Sequence, residues 1–199
     1  MPAHRYQQLI AIVRAVQPET IIEIGVWNGN RAIEMVAEAL KHHERVHYTG
    51  YDLFEEANEH TNETELNAKP NQTLASVTAR LENYQRNHPG FTFTLVRGNT
   101  NETLKPGVSG ADLVYIDGGH SVETIENDYA AVRNSPVVVF DDYYRPDGSG
   151  NCADLSVFGA NQVVDAHPDG RVLPSVDPLN VGGTVHLAII GWGDRAPVW

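Results

Sequence analysis

The chain has 199 residues, 41% of them hydrophobic, and a formal charge of −12 from 26 acids against 14 bases. That length fits a single domain with a real core, 1–199 throughout, and the negative average field excludes nucleic acid as a natural partner. No apolar run is long enough to span a bilayer, Met1-Pro2-Ala3-His4-Arg5 carries no apolar signal core, and Cys152 is the only cysteine. These features predict a cytoplasmic protein without a membrane partner, an internal disulfide or a Cys-rich zinc site.

Taken in chain order, residues 4–16 space Leu9, Ile10, Ile12, Val13 and Val16 along one helical face, and Pro18 ends that helix. Thr20-Ile21-Ile22-Glu23-Ile24 reads as a buried strand, with a turn over Gly25 to Gly29. Ala32, Met35, Val36, Ala39 and Leu40 form the stripe of the next helix, and Val46 to Tyr51 a second strand running into Asp52. Residues 54–73 are acidic and poor in large apolar side chains, which predicts a lid or insertion over the strand ends. Leu74, Val77, Leu81 and Tyr84 resume a helix that stops at Pro89-Gly90, and Phe91 to Val96 alternates as a strand with Gly98-Asn99-Thr100 beyond it. Leu113 to Ile116 and Val137 to Phe140 are short, wholly apolar runs, separated by a helix from about Val122 to Arg133 that Ser121 is placed to cap. Gly148-Ser149-Gly150 breaks the chain before a helix near 153–166, and Arg171 to Val176 and Thr184 to Trp192 suggest a closing hairpin. Strands alternating with helices predict an α/β fold: a Rossmann-like, doubly wound, mainly parallel sheet of seven strands with an antiparallel pair at the C-terminus. The apolar hairpin reads equally as a sheet edge or as the contact of a homo-oligomer.

In such a sheet ligands bind beyond the carboxyl ends of the strands, and chemistry-bearing residues gather there. Glu23-Ile24-Gly25-Val26-Trp27-Asn28-Gly29 links the first strand to its helix. A dinucleotide fingerprint would place glycine where Trp27 stands, and the acid before Gly25 suits a cationic ligand better than a pyrophosphate. Asp52 can accept two ribose hydroxyls. The two apolar runs end in Asp117-Gly118-Gly119-His120 and Asp141-Asp142-Tyr143-Tyr144. Asp117, Asp141 and Asp142 are hard oxygen donors of the kind that bind Mg²⁺, and His120 is an imidazole able to take a hydroxyl proton.

Across residues 20–145 these motifs resemble the class I S-adenosylmethionine-dependent methyltransferases. Among them the chain looks most like the small O-methyltransferases related to catechol O-methyltransferase and to the macrocin and macrolide-sugar enzymes. The resemblance implies that Glu23, Gly25 and Gly29 line the methionine part of the cofactor. Asp52 would then hold the ribose, Leu53 flank the adenine, and Asn99 and Thr100 give polar contacts to it. It implies Asp117, Asp141 and Asp142 as Mg²⁺ ligands, Asp117 also as a cofactor contact, His120 as general base with Asp117 as the second catalytic residue, and a small-molecule or sugar hydroxyl as acceptor. A metal-independent O- or N-methyltransferase, a catalytically silent cofactor-binding module and a nicotinamide oxidoreductase are the alternatives. Exhaustive chelation, turnover and a nicotinamide-binding test separate them.

Overall fold

The computed structural model describes residues 4–67, 70–105, 110–146, 154–175, 177–179 and 182–193. Its helices are α1 (Arg5–Val16), α2 (Asn30–Ala39), α3 (Glu59–Thr64), α4 (Leu74–Asn87), α5 (Thr100–Thr103), α6 (Val122–Val132) and α7 (Gly159–Ala166). Its strands are β1 (Thr20–Ile24), β2 (Val46–Asp52), β3 (Phe91–Arg97), β4 (Leu113–Ile116), β5 (Val138–Arg145), β6 (Arg171–Val172), β7 (Asp177–Pro178) and β8 (Thr184–Ile190). The sheet runs β3-β2-β1-β4-β5-β8-β6, with β7 also on β8. The first five strands of that order are parallel, and β8 is antiparallel to β5, β6 and β7.

The period-two alternation of each strand sorts its side chains to two cores. Ile21, Tyr48, Leu113, Tyr115, Val137 and Val139 face α1, α2 and α4. Ile22, Ile24, Val114, Ile116, Val138 and Phe140 face α6 and α7. Continued along the strands, the same parity sends Glu23 and Asp141 toward the side where α1 and α2 pack. Ser121 caps α6 by accepting from the Thr124 amide, as expected, and α1 closes on Gln17 in the left-handed region just before Pro18.

Three expectations change. Among the described residues the sheet has eight strands, not seven: the run from Arg171 pairs with β8 over Arg171–Val172 and through the Leu173 amide, which donates to the Leu187 carbonyl at 2.8 Å, and then meets Pro174, which has no N–H to continue the ladder. A separate two-residue β7 then joins β8. The strand expected to end at Phe140 continues to Arg145 through a register shift between Phe140 and Tyr143, where Asp142 takes φ 54°. The C-terminal helix begins at Gly159, after a single 3₁₀ turn at Leu155–Val157. The break at Gly148-Ser149-Gly150, Cys152 and Val176 lie outside the described residues. Ala188, Ile189 and Ile190 of β8 are buried within this chain's own core. No helix among the described residues is long and apolar enough to cross a membrane.

Candidate active site

A cavity of about 540 Å³ opens at the carboxyl ends of β1, β2 and β4, a volume suited to a cofactor-sized ligand. Its floor is the β1–α2 turn. Gly25 has φ 91°, and a Cβ there would stand 2.1 Å from the Asp117 carbonyl oxygen, so only glycine lets the two turns meet. Glu23 is fully buried on this floor. One of its carboxyl oxygens takes a hydrogen bond from the Tyr48 hydroxyl, while the other, Oε1, has no partner. Burial pushes this carboxyl up to about 8, the Tyr48 bond opposing and the nearby Asp52 charge adding to the rise.

Asp52 organises the turn. Its Oδ2 accepts the Val26 and Trp27 amides, both at 2.8 Å, and its Oδ1 accepts the Phe54 amide at 2.6 Å. A carboxylate offers about four lone-pair sites, so one remains on Oδ1, and Asp52 lines the cavity. Burial raises its pKa against the pull of those three amides. Leu53, Asn99 and Thr100 also line the cavity. Asn99 spends its side-chain oxygen capping α5, accepting the Asn101 amide at 2.9 Å. Gly29, by contrast, is absent from the cavity wall. It caps α2 in the left-handed region, and a Cβ there would meet Val77 at 3.3 Å, so its role is helix packing.

A second recess, of about 10 Å³, adjoins the cavity and shares Asp117, Gly118 and Gly119 with it; His120, Asp141 and Asp142 line this recess. Both ring nitrogens of His120 are engaged. Nδ1 donates to the Glu65 carbonyl at 2.6 Å, and Nε2 lies 2.6 Å from Asp142 Oδ2. Burial works against protonation of the ring, but the Asp142 contact outweighs it and the pKa rises. Asp141 is buried, with Oδ2 accepting the Tyr115 hydroxyl at 2.7 Å and Oδ1 accepting the Asp142 amide at 2.8 Å. The Arg5 Nε stands 3.1 Å from the same Oδ1.

The three acids therefore do not assemble as a chelating set. Asp141 and Asp142 are each matched to a basic side chain of the chain itself. Among the described residues no group of three or more His, Cys, Asp or Glu side chains is placed to hold a metal ion. A divalent cation does not fit this arrangement.

Four contributors were not visible in the sequence motifs. Arg5 and Tyr6 reach the rim from the start of α1, with Tyr6 in the cavity wall and the Arg31 guanidinium 4.0 Å over its ring. Asp128 is fully buried on α6, lines the cavity, and has Oδ2 unpartnered. Burial lifts its carboxyl to about 7 against a hydrogen bond from Thr100. A sequence signal did exist: Asp128 is the one acid on the buried stripe of Thr124, Ile125, Ala131 and Val132. Glu65, just after α3, accepts the Ser121 amide at 3.0 Å, the Ser121 hydroxyl at 3.1 Å and the Thr124 hydroxyl at 2.7 Å. It thus puts a carboxylate at the N-terminus of α6, where the helix dipole favours one.

Glu65 also ties the 54–73 segment to the His120 turn. Glu65→Ala removes three hydrogen bonds to a charged group, worth about 1.5–3 kcal/mol each before water replaces part of them. The expected result is faster amide exchange over residues 58–66 with the sheet unaffected, read by hydrogen-exchange mass spectrometry. Unchanged protection there would show that the segment is held by its other contacts, such as the 3.0 Å bond from Trp27 Nε1 to the Pro70 carbonyl.

Residues 22–143 match a family model described as "Methyltransferase domain". No curated protein matches the chain. Among solved structures, the chain is similar to the O-methyltransferase TomG of Streptomyces achromogenes, involved in tomaymycin synthesis and solved with S-adenosylmethionine (SAM). Identity is 15%, TM-score 0.55, with 92% of this chain and 78% of that chain covered. It is similar to the Bacillus cereus O-methyltransferase solved with S-adenosylhomocysteine (SAH) at 13% identity and TM-score 0.58, covering 92% and 79%. The SAH-bound methyltransferase PaMTH1 of Podospora anserina matches at 18% identity and TM-score 0.52, covering 95% and 78%. With the family match spanning more than half of its length, the chain belongs to the methyltransferase-domain family, on the fold shared by class I SAM-dependent O-methyltransferases.

Proposed function

We propose that the protein transfers the methyl group of SAM to a hydroxyl of a small molecule or sugar. The observation that carries this reading is the unpartnered oxygen of Glu23, buried on the floor of a 540 Å³ cavity whose wall also holds Asp52 and Asp117. An unmatched buried acceptor is costly unless a donor arrives, and the ammonium of a methionine moiety is such a donor. The remaining Asp52 lone pair takes a ribose hydroxyl. Leu53 flanks the adenine, and Asn99, Thr100 and the open oxygen of Asp128 face its polar edge. TomG and the Bacillus cereus enzyme, both O-methyltransferases solved with SAM or SAH, support the choice of cofactor and of oxygen as acceptor.

When bound, the cofactor supplies a methyl on a sulfonium: the new O–C bond forms, the C–S electron pair stays on sulfur, and the hydroxyl proton leaves to the protein. In this reading His120 receives it. Its Nδ1 must donate to the Glu65 carbonyl, so Nε2 is the nitrogen that carries or accepts the second proton. The recess at His120 is too small for an acceptor as it stands. Residues 54–73 therefore act as a lid, and acceptor entry opens the Glu65 contact. No step is assigned to a metal.

Calorimetric titration with SAH tests the reading. Micromolar binding to the wild type is expected, and Asp128→Ala should weaken it about tenfold, the size of one lost hydrogen bond near 1.4 kcal/mol. A folded protein that binds no SAH would refute the assignment. SAH binding without turnover on any hydroxyl panel would favour the silent cofactor-binding module.

A further inference from the structure

The adjacent acids at the bulge of β5 already face basic side chains, and one of these comes from the far end of the chain. Arg5 opens α1, and its side chain is 17% exposed while that of Asp141 is fully buried. Besides standing 3.1 Å from Asp141 Oδ1, the guanidinium donates through Nη2 to the Tyr6 hydroxyl at 3.0 Å. The Nε–H makes no aligned hydrogen bond, so the contact with Asp141 is electrostatic. Arg5 is also fixed from behind. Its backbone amide donates to Asp177 Oδ2 at 2.8 Å, and His4 holds the other oxygen of Asp177. Across the rim, His120 faces Asp142, and the Tyr144 hydroxyl also bonds to Asp142. A divalent ion entering between Asp141 and Asp142 would have to displace a guanidinium from a buried partner, or sit against it.

We infer that Arg5 is the resident cation of the acceptor end, taking the place of a divalent metal ion at Asp141 and fixing Tyr6 in the cavity wall. Methyl transfer by this chain then needs no metal. The inference rests on the methyltransferase reading and deepens it. Arg5 is a positioning residue: it acts through Asp141 and Tyr6, and its planar fork and permanent charge suit a site where a cation is built in rather than recruited. Asp141 and Asp142 each face a basic side chain of the chain itself, Arg5 and His120.

The test is a calorimetric titration of Mn²⁺ into the full chain, with turnover measured in EDTA. Wild type should show no saturable Mn²⁺ binding up to millimolar concentration and unchanged turnover after chelation. Arg5→Gln should uncover the acids and gain Mn²⁺ binding, lost again when Asp141→Asn is added. Arg5→Lys, which keeps the charge, should behave as wild type toward Mn²⁺. One Mn²⁺ bound by wild type and lost in Asp141→Asn would overturn the inference. So would turnover abolished by EDTA and restored by Mg²⁺, or an Arg5→Gln protein that still binds SAH yet gains no Mn²⁺. Failure of wild type to bind SAH would strike the methyltransferase reading instead, since the Mn²⁺ titration does not depend on it.

Discussion

SAH binding at pH 7 should release close to one proton in the wild type and far less in Glu23→Gln. In the empty cavity the Glu23 carboxyl is raised to about 8 by burial, so at neutral pH it is mostly protonated. The ammonium of the ligand arriving at Oε1 favours the ionised form and pulls the pKa back toward the ordinary carboxylate range near 4.5. A group whose pKa falls on binding gives up its proton between the two values. The association constant therefore climbs with pH, up to about tenfold per unit, between roughly pH 5 and 8, and levels off above. Asp52 and Asp128 are raised as well, so the Glu23→Gln comparison isolates the share of this one group. At pH 8 the variant should bind SAH about ten- to hundredfold more weakly, the loss of a charge-assisted hydrogen bond, and the gap should narrow toward pH 5. Calorimetry in two buffers of different ionisation heat reads the proton directly. Equal heats in both buffers for the wild type would show that Glu23 does not meet the ligand's cation.

The same shift has a consequence for the empty protein. A carboxyl whose folded pKa lies above its unfolded value binds more protons in the fold. Stability then falls as pH rises between the two. Glu23, at about 8 against an ordinary 4.5, acts this way, and Asp128, at about 7 against 3.8, reinforces it.

What the sequence revealed follows from how local each signal is. The five parallel strands were legible because each is a short apolar or alternating run closed by turn chemistry. Gly25 was legible as a turn, though the reason it must be glycine, the Asp117 carbonyl beneath it, comes from the turn after β4. The extension of β5 past Phe140 was not legible, because a bulge has no hydrophobic period and leaves Asp142 with a positive φ that its residue type does not announce. Arg5 looked like the polar start of an amphipathic helix. Its meeting with Asp141 depends on strand order and on α1 crossing the face of β8, which no spacing along the chain encodes. Glu65 sits in a segment without periodicity, so its partnership with Ser121 and Thr124 could only come from the folded chain.

His120→Ala should lower kcat by about a hundred- to ten-thousandfold, the usual worth of a positioned general base, while SAH affinity stays within a factor of two. The second half follows from geometry: His120 lines the small recess beside the cavity and not the cavity itself. The pH profile adds a test that mere loss of packing would not pass. A base works only when unprotonated, and the contact with Asp142 raises the pKa of this ring above its ordinary 6.5. Turnover of the wild type should therefore rise with pH through that raised value and level off beyond it. Asp142→Asn removes the charge responsible, so the rise should move to lower pH even as the plateau falls. The stability linkage has the opposite sense. Protonated His120 bridges Asp142 and the Glu65 carbonyl, a contribution fully present below about pH 6.5 and lost as pH climbs through the folded value. The His120 turn is thus less tightly held over the same interval in which the ring becomes able to accept a proton. An activity limb left in place by Asp142→Asn would detach His120 from the proton transfer and move the base to another group at the rim.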